Sequence, residues 1–518
     1  MTLRAKPIPG LALLLAVVMV VEGCTPRIPS FSRTATTTAP EVRPDADDTW
    51  LKAHYRDGRV IVFESWQVGE RTVEGDGVLL GADRDTLAVG PLAAPLDSLV
   101  LFETDRLEPG RAGVALTVMT VVVGVVSFYC ALNPKVCFGS CPTFYAGGDG
   151  DEHLVAEAFS ASVTPTLEAT DLDALWHVRP QDGAVVLRMK NEALETHAVR
   201  HADLLAVPRG PGERVLADGA GGFRAVGALL TPDAGLAAEG DIAELLRAPD
   251  ARERTSLADS FDLATREVID LRFAAPPAGD LGLVVRSRQS LMSTFLFYHS
   301  LSLLGAEAGS CLAVLERGEL GGARSLLNPS EELGFIEVQL PDGAGGWRTV
   351  GEIGEPGPLA LNVHLLPLPP GCDASRVRLR LTKGHWRLDW VALASLGEAR
   401  EAVRLSPSAA LRDGFDDPET LDILWDPTRV LAALPGDEVS LVYELPPGGG
   451  DWELFLEARG WYLEWMRQEW LGAPDLAAAS RLISDPAGSL RRLAPAYKSV
   501  EPGMEEIFWG SRYVRATR

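Results

Sequence analysis

Histidine and cysteine are scarce in this chain of 518 residues, eight of the first and six of the second. No histidine stands beside an obvious nucleophile, and no G-x-S-x-G, H-E-x-x-H, Walker A or dinucleotide glycine pattern occurs. A positive balance is missing as well: 48 Lys and Arg against 72 Asp and Glu leave a net charge of −24. Nucleic-acid phosphates repel such a chain, so nucleic acid is set aside as a partner. The acidic excess is spread along the chain, which suits an extracytoplasmic surface. The sequence therefore assigns no catalytic residue, no metal and no cofactor. A glycosidase needs only two carboxylates, and these can lie far apart in sequence. Glu157, Glu192, Glu195, Asp203 and Asp389 are the first to examine.

What is present begins with an export signal. Arg4 and Lys6 precede an apolar core from Leu11 to Val21, followed by Val21-Glu22-Gly23-Cys24. Positive charge, apolar run and small residues follow in the order of a signal peptide, over residues 1–23. Its end resembles a bacterial lipobox, with Glu22 as a departure. The resemblance implies that Cys24 is lipidated and becomes the mature N-terminus; an ordinary signal peptide with a chance cysteine is the other reading. Residues 24–48, rich in Pro, Ser and Thr, read as a flexible tether.

Residues 49–108 alternate short apolar strands with turn signals such as Asp57-Gly58. So short a set cannot bury two separate sheets, but it can curl into one small barrel of the SH3 or Sm type. The run from Ala112 to Pro134 carries no charge, and roughly 20 apolar residues cross a bilayer as a helix. Its valines also suit a buried strand. A lipid on Cys24 outside and a full span at Ala112–Leu132 would leave the C-terminal part in the cytoplasm. The expectation is therefore a helix that inserts partly, lies along the membrane or packs against partner copies. Cys137 and Cys141 fit a disulfide in an exported chain. Cys311 and Cys372 are a second candidate pair, and Cys130, inside the apolar run, is taken as the free thiol.

A β-rich domain is expected over 135–275 and a β-sandwich over 276–447. The segment VRLRLTKGHWRLDWVALA, near 377–394, echoes a hairpin-like design within 184–207. Each has an alternating strand, a polar turn, then Asp203 or Asp389 leading an apolar strand. The echo predicts related sandwich units, or one sandwich edge used twice. With FIEVQLPDGAGGWRTVGEI before it, the later copy resembles the galactose-binding-like jelly rolls. Asp149, Asp151 and Glu152 are expected in a plain hairpin turn, since the EF-hand ligand pattern is absent. His197 and His201 are expected to be exposed on a hairpin and not to share a metal. Gln289 to Leu304 predicts a buried helix too short for a span. The stretch 448–518 is rich in tryptophan. Trp461 and Trp465, four apart, would stack on one face of a helix, with core packing favoured over an aromatic binding platform. The expected class is mainly β: a small barrel, one apolar helix, then sandwich or jelly-roll-like domains with a few helices.

At SCPTFYAGGDGDEHLVAEAF, ATDLDALW, LRMKNEALETHAVRHADLLAV and RGWYLEWM, the chain resembles a group of uncharacterised bacterial envelope lipoproteins. In that group an apolar segment leads into Ser-Cys-Pro-x-x-Tyr and a β domain. A Gly-Tyr-Tyr-like element closes it, here Gly460-Trp461-Tyr462. The resemblance covers most of residues 135–470, implies no activity and carries over no catalytic residue. The functional expectation is a membrane-anchored cell-envelope lipoprotein with a non-catalytic binding or assembly role. Its partners would be the membrane, reached through lipid and apolar segment, and envelope proteins or glycans. The alternative is an envelope glycan-binding protein or a glycoside hydrolase using paired carboxylates.

Overall fold

The computed structural model describes residues 30–36, 48–55, 59–81, 86–108, 142–148, 151–305 (less 161, 163–164, 194 and 220), 308, 333–447 (less 355–356), 450–464, 474–510 and 512. The expected signal peptide, Cys24, the apolar run 112–134, Cys130, Cys137, Cys141, Cys311 and Trp465 lie outside the described residues. Among the described residues no helix is long and apolar enough to cross a membrane.

Six strands form sheet 1: β1 (Ser30–Thr36), β2 (Asp48–Tyr55), β3 (Val60–Val68), β4 (Thr72–Leu80), β5 (Thr86–Pro95) and β6 (Leu99–Glu108). Their order is β1-β6-β2-β3-β4-β5. Alternating positions such as Leu51 and Ala53, or Ile61 and Phe63, gather with Trp66 and Phe102 into one core. β1 lies inside the segment expected to be a tether and pairs antiparallel with β6. Gly75 lets β4 pass close to β3. A Cβ there would fall 1.7 Å from the Ser65 carbonyl oxygen, beside the register shift at Phe63/Ser65.

The first sandwich opens with β7 (Thr143–Ala146), β8 (His153–Glu157), β9 (Ala169–Ala174), β10 (Ala184–Lys190) and β11 (Glu195–Arg209). A second sandwich is then inserted. It comprises β12 (Arg214–Ala217), β13 (Phe223–Leu230), β14 (Ala234–Ala237), β15 (Gly240–Asp241), β16 (Arg254–Thr255), β17 (Arg266–Arg272), β18 (Leu281–Gln289), β19 (Ile336–Pro341), β20 (Trp347–Ile353), β21 (Asn362–Pro367), β22 (Arg376–Thr382) and β23 (Trp386–Arg400). The first sandwich resumes with β24 (Val403–Leu405), β25 (Ala409–Arg412), β26 (Phe415–Asp416), β27 (Leu431–Ala433), β28 (Glu438–Glu444) and β29 (Asp451–Glu464). The boundary expected at 275/276 therefore falls inside the second sandwich, between β17 and β18. The stretch expected as a separate Trp-rich segment begins with a strand of the first.

Four sheets stack as layers. Sheet 2 (β26-β25-β28-β10-β7-β8) faces sheet 3 (β24-β11-β29-β9, with β27) across a core that includes Phe144, Leu187, Leu204 and Tyr443. Sheet 3 turns its other side, with Leu205, Val207 and Phe455, onto sheet 4 (β12-β13-β23-β18-β21, with β16). Sheet 4 in turn packs on sheet 5 (β15-β14-β17-β22-β19-β20) through Leu283, Val285, Val391 and Leu393. Sheets 3 and 4 are thus covered on both faces, so their strands carry apolar side chains at successive positions. All nine residues of β18 are buried.

The sequence echo acquires a physical meaning in this stack, and neither copy is a hairpin. β10 belongs to outer sheet 2 and β11 to inner sheet 3; β22 belongs to outer sheet 5 and β23 to inner sheet 4. In both copies an alternating outer strand crosses by a short turn to an inner strand buried on two faces.

Helices are few. α1 (Met292–Ser302) realises the helix expected within 289–304, and α2 (Pro418–Trp425) is capped by Asp417, whose side chain accepts from Thr420 N. At the C-terminal end α3 (Leu476–Ser484), α4 (Pro486–Val500) and α5 (Met504–Gly510) follow one another. α4 packs Leu490, Ala494 and Tyr497 against Met292 and Leu296 of α1.

Candidate functional site

The two sandwiches and the C-terminal helices enclose a cleft of about 680 Å³ at their seam. That is ample for a small ligand, since binding pockets typically run from roughly 300 to 1,000 Å³. The first sandwich supplies Tyr145, Leu154 and Val155, with Trp176 and His177 just past β9. The second supplies Arg286 and Arg288 from β18, Pro249, Asp250, Ala251 and Glu253, and Leu359 to Leu361; Trp509 and Arg512 complete the rim.

The floor is set by a β-bulge. Along β18 and β23, Arg286 pairs with Trp390 and Ser287 with Leu388, which leaves Asp389 as the extra residue. A bulge re-aims a side chain, and the Asp389 carboxylate accepts from Arg286 Nη1 at 2.5 Å. Burial pushes the Asp389 carboxyl above the usual carboxylate range, opposed by the Arg286 charge. Arg288 makes a two-pronged pair with Glu253, at 2.5 and 2.9 Å, and donates to the Pro358 carbonyl. Glu505 of α5 reaches Arg288 at 3.2 Å and Arg387 at 3.0 Å. On the opposite wall Arg214 lies 3.3 Å over the Trp176 ring and is held by Glu453. Burial and the neighbouring Arg286 charge hold the His177 imidazole below its ordinary pKa.

The five carboxylates singled out from the sequence separate into two sets. Glu157 accepts from the backbone N–H of Leu359 at 2.9 Å and so fixes the apolar wall. Glu192 accepts from Tyr145 Oη at 2.7 Å and Thr143 Oγ1 at 3.0 Å, and pairs with Arg512 at 3.2 Å. Asp389 holds Arg286. Three of the five therefore brace residues that line the cleft. Glu195 lies apart, buried against His197 Nε2 at 2.8 Å. Asp203 accepts from Arg404 and Ser406, both at 2.9 Å, in a second, more open groove with Arg200, His201 and Trp425.

Other expectations are corrected. His197 is fully buried and not exposed, because it lies on inner strand β11. His201 is half-buried and meets Glu457 at 3.3 Å. Trp461 lies on β29 and not on a helix; it is 1% exposed and packs with Ala198 and Leu463, which rules it out as a binding platform. Cys372 is half-buried and unpaired among the described residues, and its expected partner Cys311 lies outside them. Among the described residues no three His, Cys, Asp or Glu side chains converge as a metal site.

Arg286, Arg288, Trp176, His177, Trp509 and Arg512 were not singled out from the sequence. A signal does exist in LGLVVRSRQS, where two arginines break an otherwise apolar strand. Charges inside a strand buried on both faces need partners and mark a polar seam. No family model, no curated protein and no solved structure matches the chain.

Proposed function

We propose that this chain is a lipid-anchored protein of the cell envelope with a non-catalytic binding role, and that the seam cleft holds its ligand. The cleft itself carries the reading: concave, walled by three parts of the chain, with its bracing carboxylates already engaged by donors. A general acid or base needs a carboxyl free to exchange a proton with substrate, whereas Glu157, Glu192 and Asp389 serve as braces. The signal-like N-terminus, the lipobox-like Cys24 and the resemblance of residues 135–470 to envelope lipoproteins support the placement. In this reading sheet 1 is an SH3- or Sm-like module between the anchor and the sandwiches, and the apolar run at 112–134 contacts the membrane.

Three measurements test it. Metabolic labelling with palmitate marks the wild-type chain but not Cys24→Ser, and a C-terminal tag is digested in spheroplasts without detergent. Protection of the tag until detergent is added removes the external placement. Soluble envelope extract raises the melting temperature of the full chain, and His177→Trp, which fills the cleft mouth, abolishes the rise. A rise that His177→Trp retains moves the ligand elsewhere.

A further inference from the structure

We propose that the cleft takes an uncharged, hydroxyl-rich ligand, a neutral oligosaccharide, seated between the apolar wall at Leu359–Leu361 and the guanidinium of Arg286. The proposal rests on the cleft being the binding site and adds the class of ligand.

The first argument is charge. Each ionised side chain of the lining already has a counter-charge: Arg286 with Asp389, Arg288 with Glu253, Arg512 with Glu192 and Asp250 with Arg252. A carboxylate or phosphate entering the cleft would have to share a guanidinium with a carboxylate already bound to it. A cation would face the same obstacle from the arginines. A charge brought into such a site without its own partner is penalised by desolvation, so the balanced lining selects a neutral molecule.

The second argument is an unfilled donor. The Arg286 side chain is nine-tenths buried and its Nε has no hydrogen-bond partner among the described residues. That N–H is closed off from solvent as the side chain stands, like the Nε groups of Arg209, Arg224 and Arg387, and a ligand oxygen satisfies it once the Arg286 side chain, which lines the cleft, turns toward it. The His177 imidazole, held by burial below its ordinary pKa, offers one donor and one acceptor as the neutral ring, and Arg288 retains one N–H on Nη2. Hydroxyls both donate and accept, and so match a wall of mixed polarity without altering its charge.

The third argument is the remaining wall. Leu154, Val155 and Ala360 offer apolar surface to the cleft, and Trp509 is half-buried at its rim. A sugar ring presents a C–H face as well as a hydroxyl edge, and aromatic rings pack against such faces.

The test is isothermal titration of the full chain in detergent with cellotetraose, maltotetraose, N-acetylchitotetraose and trigalacturonate. At least one neutral oligosaccharide binds, and Trp509→Ala weakens it by roughly tenfold. α5 has no buried residue, so this variant keeps its fold, which an unchanged melting curve verifies. Tighter binding of trigalacturonate than of every neutral sugar overturns the ligand class. Neutral binding unchanged in both Trp509→Ala and His177→Trp overturns the seat. If no saccharide binds while envelope extract still gives a melting shift that His177→Trp abolishes, the class fails and the cleft stands. If that shift survives His177→Trp, the cleft reading itself fails.

Discussion

Arg286 and Asp389 meet across the one position where β18 and β23 fall out of register, with Nη1 2.5 Å from Oδ2. Both are buried, so each is the other's main compensation. Asp389→Ala should cost roughly 3–5 kcal/mol, because it strands a buried guanidinium. The double variant Arg286→Met with Asp389→Leu should recover most of that loss. Urea denaturation of wild type and the two variants reads both effects. A loss below about 1 kcal/mol for Asp389→Ala would mean that water already reaches the pair.

His385 is fully buried, neither ring nitrogen has a hydrogen-bond partner among the described residues, and burial pushes its pKa down to about 3. In the unfolded chain it titrates near the ordinary value of about 6.5. Between those values the unfolded state takes up the proton and the folded state does not. This contribution is therefore complete above about pH 6.5 and is lost as pH falls toward 3, by up to roughly 1.4 kcal/mol per pH unit. Urea midpoints at neutral and mildly acidic pH should diverge in wild type and converge in His385→Leu. Equal divergence in both would assign the acid sensitivity to other groups.

Gly460 pairs with Val199, beside the bulge at Arg200. An added Cβ would lie 2.2 Å from the Ala198 carbonyl oxygen and 2.9 Å from the Phe159 ring. Neither inner-layer neighbour has room to yield. Gly460→Ala should destabilise by roughly 2–4 kcal/mol, read as a lowered melting temperature, whereas the exposed Gly450→Ala should leave it unchanged.

α4 and α5 are held by different forces. α4 inserts Leu490, Ala494 and Tyr497 into a core shared with α1. α5 buries no residue and is tied down by Glu505 to Arg288 and Arg387, with Arg512 on Glu192 just beyond it. Glu505, Arg387 and Arg512 are partly exposed, so salt weakens their pairs, though less than it weakens pairs in open water. Amide exchange across 504–510 should therefore quicken several-fold in about 0.5 M salt, and again in Glu505→Gln, while α4 stays protected. Equal protection of both helices under all conditions would mean that packing, not charge, holds α5.

The mainly β class was legible in the sequence, because alternation and turn residues mark half-buried strands wherever they lie. The echo between 184–207 and 377–394 was legible too, but its meaning was not. An apolar run buried on both faces looks the same whether it lies in a sandwich edge or in the inner layer of a four-sheet stack. Spacing misled at Trp461, which lies on β29, since residues four apart share a face on a strand as well as on a helix. At His197 and His201 the bulge at Arg200 breaks even that rule, leaving one buried and the other half-buried. The cleft was hidden for a related reason. The Asp389 bulge depends on its register with β18, about a hundred residues away, and no local pattern encodes that.

The insertion of the second sandwich governs the order in which the chain can mature. A chain delivered N-terminus first presents β7 to β11, then the whole of the guest, and only afterwards the strands β24 to β29 that complete the host. The pairing of β10 with β28 must wait for all of it, and contacts so distant in sequence are slow to form because a long loop must first be closed. The guest removes much of that cost once folded. Glu213 receives N–H groups from Gly210 at its start and from Arg400 at its end, at 3.0 and 3.2 Å. The two ends of the guest are thereby clasped together. A closed guest turns a very long loop into a short one and delivers β24 beside β11. A lesion that unfolds the guest would leave the host as two separated halves with exposed strand edges.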